Sequence, residues 1–357
     1  MQGVTQTDLA REVGVTQGFI SHIENGIRPL PLDFARTVSD MYGLPIEFFS
    51  VPPSLTSEGM ATFRKSSKAT VREGDRVEAV FDEAARLFAA ASEASGYHAA
   101  DFADLRDYDE EVTAQNVRSA LGISEGAPLL NATRAVERLG VGVVKDLVDL
   151  PDGSSDHSGV SRPNPYVDRP LIATVGGQPP AVVRMTVMHE LAHVIYDREK
   201  HEPFRGTRSP EERRAFRFAG AMLIPADVVR SRVTESLTLE GYLPIKAEYG
   251  VSVAALIMRA STLKVISPQR KRSLFIQLSS AGWRKNEPVP VAEEHPVLLQ
   301  QATERGIATT AREVAIKVGI SYSQAARWTG LPMDRHVDGL ADVIELRPLR
   351  QVRRQRQ

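Results

Sequence analysis

The sequence predicts a mainly helical α+β protein: a small N-terminal helical bundle, a larger helical core around a small sheet, and a mixed C-terminal part. Three observations carry this reading. Helical periodicity covers most of the 357 residues, with β-branched, period-two runs only at Val141–Lys145 and Pro170–Val175. Glycine and proline punctuation closes short helices near the start and breaks the chain at Val51-Pro52-Pro53-Ser54 and in the Pro/Glu-rich spacer Asn286–Pro296. The chain is also too long for one domain of ordinary size, so two or three are expected. The boundaries that follow are 1–50, a linker over 51–60, a core over 61–282, and a C-terminal domain over 283–357 that ends in a basic tail.

Taken in order, Thr5 to Val13 is helical and ends at Gly14, Thr16 can cap a second helix to Asn25 with Gly26 as its stop, and a third runs from Leu32 to Met41 before Gly43. A basic cluster (Arg64, Lys65, Lys68) precedes a long amphipathic helix over Asp75–Ala94. Helices follow at 109–122 and Leu129–Leu139. The two strand runs flank a polar loop, Pro151–Pro165, and make a sheet of two or three strands. After Pro179-Pro180 a strongly apolar helix spans Val182–Tyr196, another spans Glu211–Leu223, and the remainder to Gly282 is helical. Ala311 to Leu331 reads as helix-turn-helix with Gly319 at the turn, a pattern that plain helical hairpins share; the arginine-rich end beyond it reads as a solvated tail.

Composition narrows the function classes. A formal net charge of −1 provides no global pull toward nucleic acid or an anionic membrane. Cysteine is absent, so no disulfide forms and any metal site must use His, Asp or Glu. The start MQGVTQTDLA has no signal-peptide character, and no apolar run approaches the roughly 18 residues that span a bilayer. The expected setting is the cytoplasm, without a membrane partner.

Chemistry concentrates in Met188-His189-Glu190-Leu191-Ala192-His193. Residues four apart share a helix face, so both imidazoles can reach one ion. Glu190 can stand beside the attacking water as general base. Val187, Leu191, Val194 and Ile195 bury the helix around this polar stripe, and buried polar groups need partners. A third ligand is expected nineteen residues after His193. There Glu212, Ala215 and Ala219 share one helix face, whereas Glu211 points about 100° away as a first-turn acid.

The residues MTVMHELAHVIYD followed by EERRAFRFAGAMLIP resemble the ImmA/IrrE family of zinc metallopeptidases, from roughly Ala61 to Gly282. The resemblance implies a zincin-like core with Zn2+ on His189, His193 and Glu212, and Glu190 as base. It also implies a protein substrate, a transcriptional repressor cleaved under stress or on mobile-element induction. Two positions depart from the family pattern. Phe216 stands where an Asp or Asn usually orients a ligand histidine, and Arg214 stands where a second Glu is usual. Weaker metal binding is one expectation, and replacement by another group, Asp197 or Asp156, is the other. His157, in Ser154-Ser155-Asp156-His157-Ser158-Gly159, is a candidate oxyanion or outer-shell group, with a solvated loop residue as the alternative.

Residues 1–50 resemble the XRE helix-turn-helix repressors, through Thr5-Gln6-Thr7-Asp8-Leu9-Ala10 and Val15-Thr16-Gln17 up to Ile23-Glu24-Asn25-Gly26. By matching positions, Gln17 and Ser21 would read base edges, with Thr16 and Arg28 near phosphates. The family's first helix would precede Thr5, so the module is expected to lack it and to depend on docking against the peptidase part or a second chain, a homodimer. Arg11, Arg28 and Arg36 are outnumbered by acids, which predicts weak, salt-sensitive DNA binding. Two function classes stand: an endopeptidase, or a transcription regulator or antitoxin whose peptidase-like part senses a ligand with little catalysis.

Overall fold

A computed structural model describes residues 4–52, 62–65, 71–148, 157–199 and 209–334. The N-terminal helices are α1 (Gln6–Val13), α2 (Gln17–Glu24) and α3 (Leu32–Tyr42). Thr5 and Thr16 cap the first two by accepting the amides of Asp8 and Phe19, and Ala10, Ile20, Ala35, Val38 and Leu44 form their small core. A 3-10 turn, Ile46–Ser50, leads out of this bundle.

The central part contains β1 (Thr62–Lys65), α4 (Val71–Ser95), α5 (Glu110–Ala120), α6 (Ala132–Arg138), β2 (Gly142–Val144), β3 (His157–Ser161), β4 (Leu171–Thr174), α7 (Pro180–Tyr196) and α8 (Pro210–Leu223). After these come α9 (Ala226–Arg232), α10 (Leu243–Tyr249), α11 (Val253–Thr262), α12 (Pro268–Ser280), α13 (Leu298–Gly306), α14 (Ala311–Val318) and α15 (Tyr322–Thr329). The fold is therefore α+β, as predicted. Among the described residues no helix is long and apolar enough to cross a membrane.

Four strands form the sheet in the order β1-β3-β4-β2. β2 and β4 run parallel (Val143 opposite Ile172), β3 lies antiparallel to β4 (Val160 opposite Ala173), and β1 antiparallel to β3 (Phe63 opposite Val160). The expected two or three strands become four, because β1 and β3 fall in stretches that read as a basic cluster and a polar loop. Ser, Gly and His carry little strand propensity, and pairing with β4 overrides it. His157 thus sits on a strand, not a loop; its side chain lies outside the described residues, as do Asp156, His201 and the tail beyond 334.

The sheet separates two apolar cores. Leu171, Ala173 and Val175 face α4 and α13, while Ile172 faces α7 and α6. Alternate residues of one strand serve opposite faces, and both are buried, which explains the unbroken apolar run of β4. The α4 side also includes Val314, Ala315, Ala325 and Trp328, so α14 and α15 pack with the sheet.

The segment that read as a spacer is built into the structure. Glu294 accepts the amides of Ala132 (2.9 Å) and Thr133 (2.8 Å) at the start of α6 and pairs with buried Arg184 of α7. Glu287 pairs with Lys246 at 2.7 Å and accepts the Val253 amide at 3.0 Å. The N-terminal bundle is seated on the C-terminal helices. Its 3-10 turn packs on α14, and the Tyr322 amide points to the Gly43 carbonyl at 3.4 Å.

Candidate metal centre

Helix α7 is buried on nearly every side, between the sheet and α8. Its start is set by Pro179-Pro180, since proline at the first helical position surrenders an amide that has no intrahelical acceptor anyway. His189 and His193, one turn apart, are 2% and 1% exposed, and their Nε2 atoms lie 3.2 Å apart. Helix α8 begins at Ser209, whose hydroxyl accepts the Glu212 amide at 3.2 Å. It packs on α7 through Ala215 and Ala219, both buried. That close contact carries Glu212 to the two rings, Oε2 at 3.4 Å from His189 Nε2 and Oε1 at 3.4 Å from His193 Nε2.

These three residues each offer a ligand atom, all within 4.8 Å of one another, and among the described residues no other trio of His, Cys, Asp or Glu converges this way. Glu212 Oε2 is buried with no hydrogen-bond partner. Two imidazoles and a carboxylate form a donor set that divalent zinc accepts, with a further position left for water. The residues present therefore fit a metal ion. Glu211 takes no part, in keeping with its place on the helix.

Burial opposes charge on His193, but its bonds to Asp197 and Glu212 outweigh burial and push its pKa up to about 9. Burial likewise opposes the Glu212 charge, and the His189 and His193 rings overcome it, holding that carboxyl at about 2.

Around the trio stand groups that the sequence did not rank or name. Asp197 Oδ2 lies 2.8 Å from His193 Nδ1, one turn along α7, and the Arg214 guanidinium grips its other oxygen. Arg214, which read as a departure, is thus part of the support for His193. His189 is supported differently: its Nδ1 is buried without a hydrogen-bond partner, and the Phe216 ring packs on the imidazole with centroids 4.4 Å apart. Glu190, 1% exposed, accepts a 2.6 Å hydrogen bond from Ser161 Oγ of β3. Gly159 makes this approach feasible, because a Cβ there would sit 2.4 Å from Thr186 Cγ2 and 3.1 Å from Glu190 Cγ. A groove of about 610 Å³ adjoins Phe216, its apolar floor lined by Met185, Ala254, Met258 and Phe275 and its walls completed by Arg213, Arg217 and Arg259.

In the N-terminal bundle, Gln17 donates from its side-chain amide to Gln6, and Gln6 in turn donates to Glu24. Arg28 stacks over the Phe19 ring at 4.6 Å. Thr16 caps α2, and the Ser21 hydroxyl accepts from the Asn25 amide at 3.2 Å. Gln17 is exposed and Ser21 half-buried, on one face of α2.

Residues 136–261 match the M78 peptidase family model, described as the IrrE N-terminal-like domain, and residues 1–49 match a helix-turn-helix model. The first span contains α7, α8 and the whole trio, and the second contains α1 to α3. Both matches are to the families that the sequence resembles. No curated protein and no solved structure matches the chain.

Proposed function

We propose that the chain is a cytoplasmic, zinc-dependent endopeptidase that cleaves a specific protein, a transcriptional repressor, and that this activity is coupled to DNA binding through residues 1–49. One observation carries the reading: two histidines and a carboxylate converge inside the protein with a second carboxylate, Glu190, fixed beside them.

His189 Nε2, His193 Nε2 and the Glu212 carboxylate would hold the ion. When bound, zinc polarises the scissile carbonyl and lowers the pKa of the attacking water toward about 7. Asp197 accepts a hydrogen bond from Nδ1–H of His193, which would leave the Nε2 lone pair free for the ion. Glu190 removes a proton from the attacking water and returns it to the leaving amine nitrogen. The Ser161 hydroxyl, bonded to Glu190 Oε2, keeps that carboxylate from rotating away between the two transfers. The groove beside Phe216 accommodates an apolar side chain of the substrate.

Purified protein is expected to hold about one zinc per chain. His189→Ala and His193→Ala should lose it, and Glu212→Gln should lower occupancy where Glu211→Gln does not. Glu190→Gln should keep the metal and lose cleavage of repressors encoded beside the gene. Full zinc retention in both histidine variants would remove the site. Cleavage by Glu190→Gln would remove the base.

A regulator that binds metal or ligand with little turnover is the second reading. The apolar packing of Phe216 on His189, with no acceptor for Nδ1, favours it. It predicts a metal-loaded wild-type protein that leaves every neighbouring repressor intact.

A further inference from the structure

The helix-turn-helix geometry of the N-terminus recurs at the other end of the chain. α1 and α2 are eight-residue helices joined by Gly14-Val15-Thr16, and α14 and α15 are eight-residue helices joined by Gly319-Ile320-Ser321. Thr5 caps α1 through the Asp8 amide at 3.0 Å, and Thr310 caps α14 through the Glu313 amide at 3.3 Å. Both first helices end on a left-handed glycine, Gly14 at φ +76° and Gly319 at φ +70°. The Ala10 carbonyl accepts the Gly14 and Val15 amides at 3.0 and 2.9 Å; the Ala315 carbonyl accepts those of Gly319 and Ile320 at 2.8 and 3.1 Å. Thr16 then caps α2 through Phe19, as Ser321 caps α15 through Gln324.

Burial repeats as well. Ala10 and Ile20 are buried in the first unit, and their counterparts Ala315 and Ala325 are buried in the second. Gly18 and His22 are exposed on α2, and Ser323 and Arg327 at the same positions are exposed on α15; Ser21 and Ala326 are both half-buried.

A capped hairpin of this shape is not by itself a reading head, and α10–α11 makes the contrast. Gly250 (φ +64°), Val251 and Ser252 join that pair, but the open face of α11 is Ala254, Ala255 and Met258, and it lines the apolar groove beside Phe216. The open face of α15 is polar and basic. Arg312 of α14, paired with Asp334 at 2.6 Å, is exposed near it, and the sequence from 335 to 357 has six arginines against three acids. Cations on and after such a unit complement phosphate rather than an apolar partner.

We propose that α14–α15 is a second helix-turn-helix that binds duplex DNA, with α15 entering the major groove through Ser323 and Arg327. The two units are in direct contact. The N-terminal bundle's 3-10 turn packs on α14, and a Cβ on Gly319 would lie 2.3 Å from Val51 Cγ2, so only glycine permits this seat. One chain thereby presents two reading helices, which most helix-turn-helix proteins obtain by pairing two copies.

The test is fluorescence anisotropy of the full chain on two labelled duplexes, one from the gene's own promoter and one of unrelated sequence, across a salt series. Arg327→Ala should weaken binding and reduce the slope of log affinity against log salt by about 0.9. Ser323→Asp should weaken it further, and footprints should shrink from two protected segments to one. Arg272→Ala, an exposed cation on α12, should change nothing, and Arg327→Lys should restore the slope. Thermal melts of the variants separate any loss of folding from loss of DNA contact. Affinity, slope and footprint unchanged in Arg327→Ala and Ser323→Asp would overturn the proposal. Failure of the wild-type chain to bind either duplex at low salt would overturn it too.

Discussion

Asp197 and Arg214 illustrate how single side chains around the trio take roles that neither spacing nor composition reveals. His193 Nδ1 is bonded to Asp197, and Asp197 is bonded to Arg214, so the imidazole is held from two residues away. Outer partners of ligand histidines fix the tautomer and ring orientation, and removing one typically costs about 10–100-fold in metal affinity. Asp197→Asn is therefore expected to weaken zinc binding by about that range. Competition against a fluorescent chelator reads it directly, and an unchanged affinity would show that Asp197 does not support His193. Ser161 tests the base in the same way. Ser161→Ala should leave metal content intact while slowing cleavage, because the Glu190 carboxylate loses this tether. Loss of zinc from this variant would mean that β3 supports the trio as a whole and not Glu190 in particular.

At the scale of elements, α7 is held by contacts distant in sequence. Arg184, buried one turn before Met188, pairs with Glu294 and donates to the Leu130 and Tyr249 carbonyls, each at 3.3 Å. Glu294 meanwhile caps α6. Truncating one partner of a buried pair leaves the other charge without compensation, which costs about 3–5 kcal/mol. Glu294→Ala should lower unfolding stability by about that amount, since it strands Arg184 and the α6 amides together. Denaturant unfolding measures it, and a midpoint equal to wild type would show that the strap contributes nothing.

For the whole molecule, the coupling of α4 to the C-terminal helices carries a pH dependence. Arg86 donates from Nη2 to the Gly319 carbonyl at 3.0 Å and from Nε to that of Val318 at 3.3 Å. Beside it, the Glu83 side chain is buried. Burial pushes the Glu83 carboxyl from 4.5 up to about 7, with Arg86 opposing in part. Between those values the folded protein keeps a proton that the unfolded chain has released. The contribution of Glu83 to stability is then full below 4.5, falls as pH rises through this window, and is lost above about 7. One pKa unit corresponds to about 1.4 kcal/mol, so this group accounts for about 3 kcal/mol in all. Glu83→Gln should flatten that part of the profile. If the stability difference between the two ends of the window survives the substitution, another group is responsible.

Local pattern alone determined the helical class, the capped N-terminal helices, the apolar strands β2 and β4, and the shared helix face of His189 and His193; the arrival of Glu212 beside them depends on the α7–α8 contact. The local features depend on spacing within one helix face or one strand, and a buried polar stripe on an apolar helix needs an ion or charged partners to offset its desolvation. Tertiary structure decided the rest. β3 forms because β4 offers a hydrogen-bonding edge to residues of weak strand propensity, and β1 then pairs on the free edge of β3. Arg214 becomes a support because the α7–α8 contact brings it to Asp197. The acids of 287–294 cap helices from which they are far removed in sequence. The seating of the 3-10 turn after α3 on α14, and the likeness of α14–α15 to α1–α2, emerge only once both ends of the chain are in place. In each case the partners are separated by many residues, and pairwise contact at that distance leaves no periodic signature in the sequence.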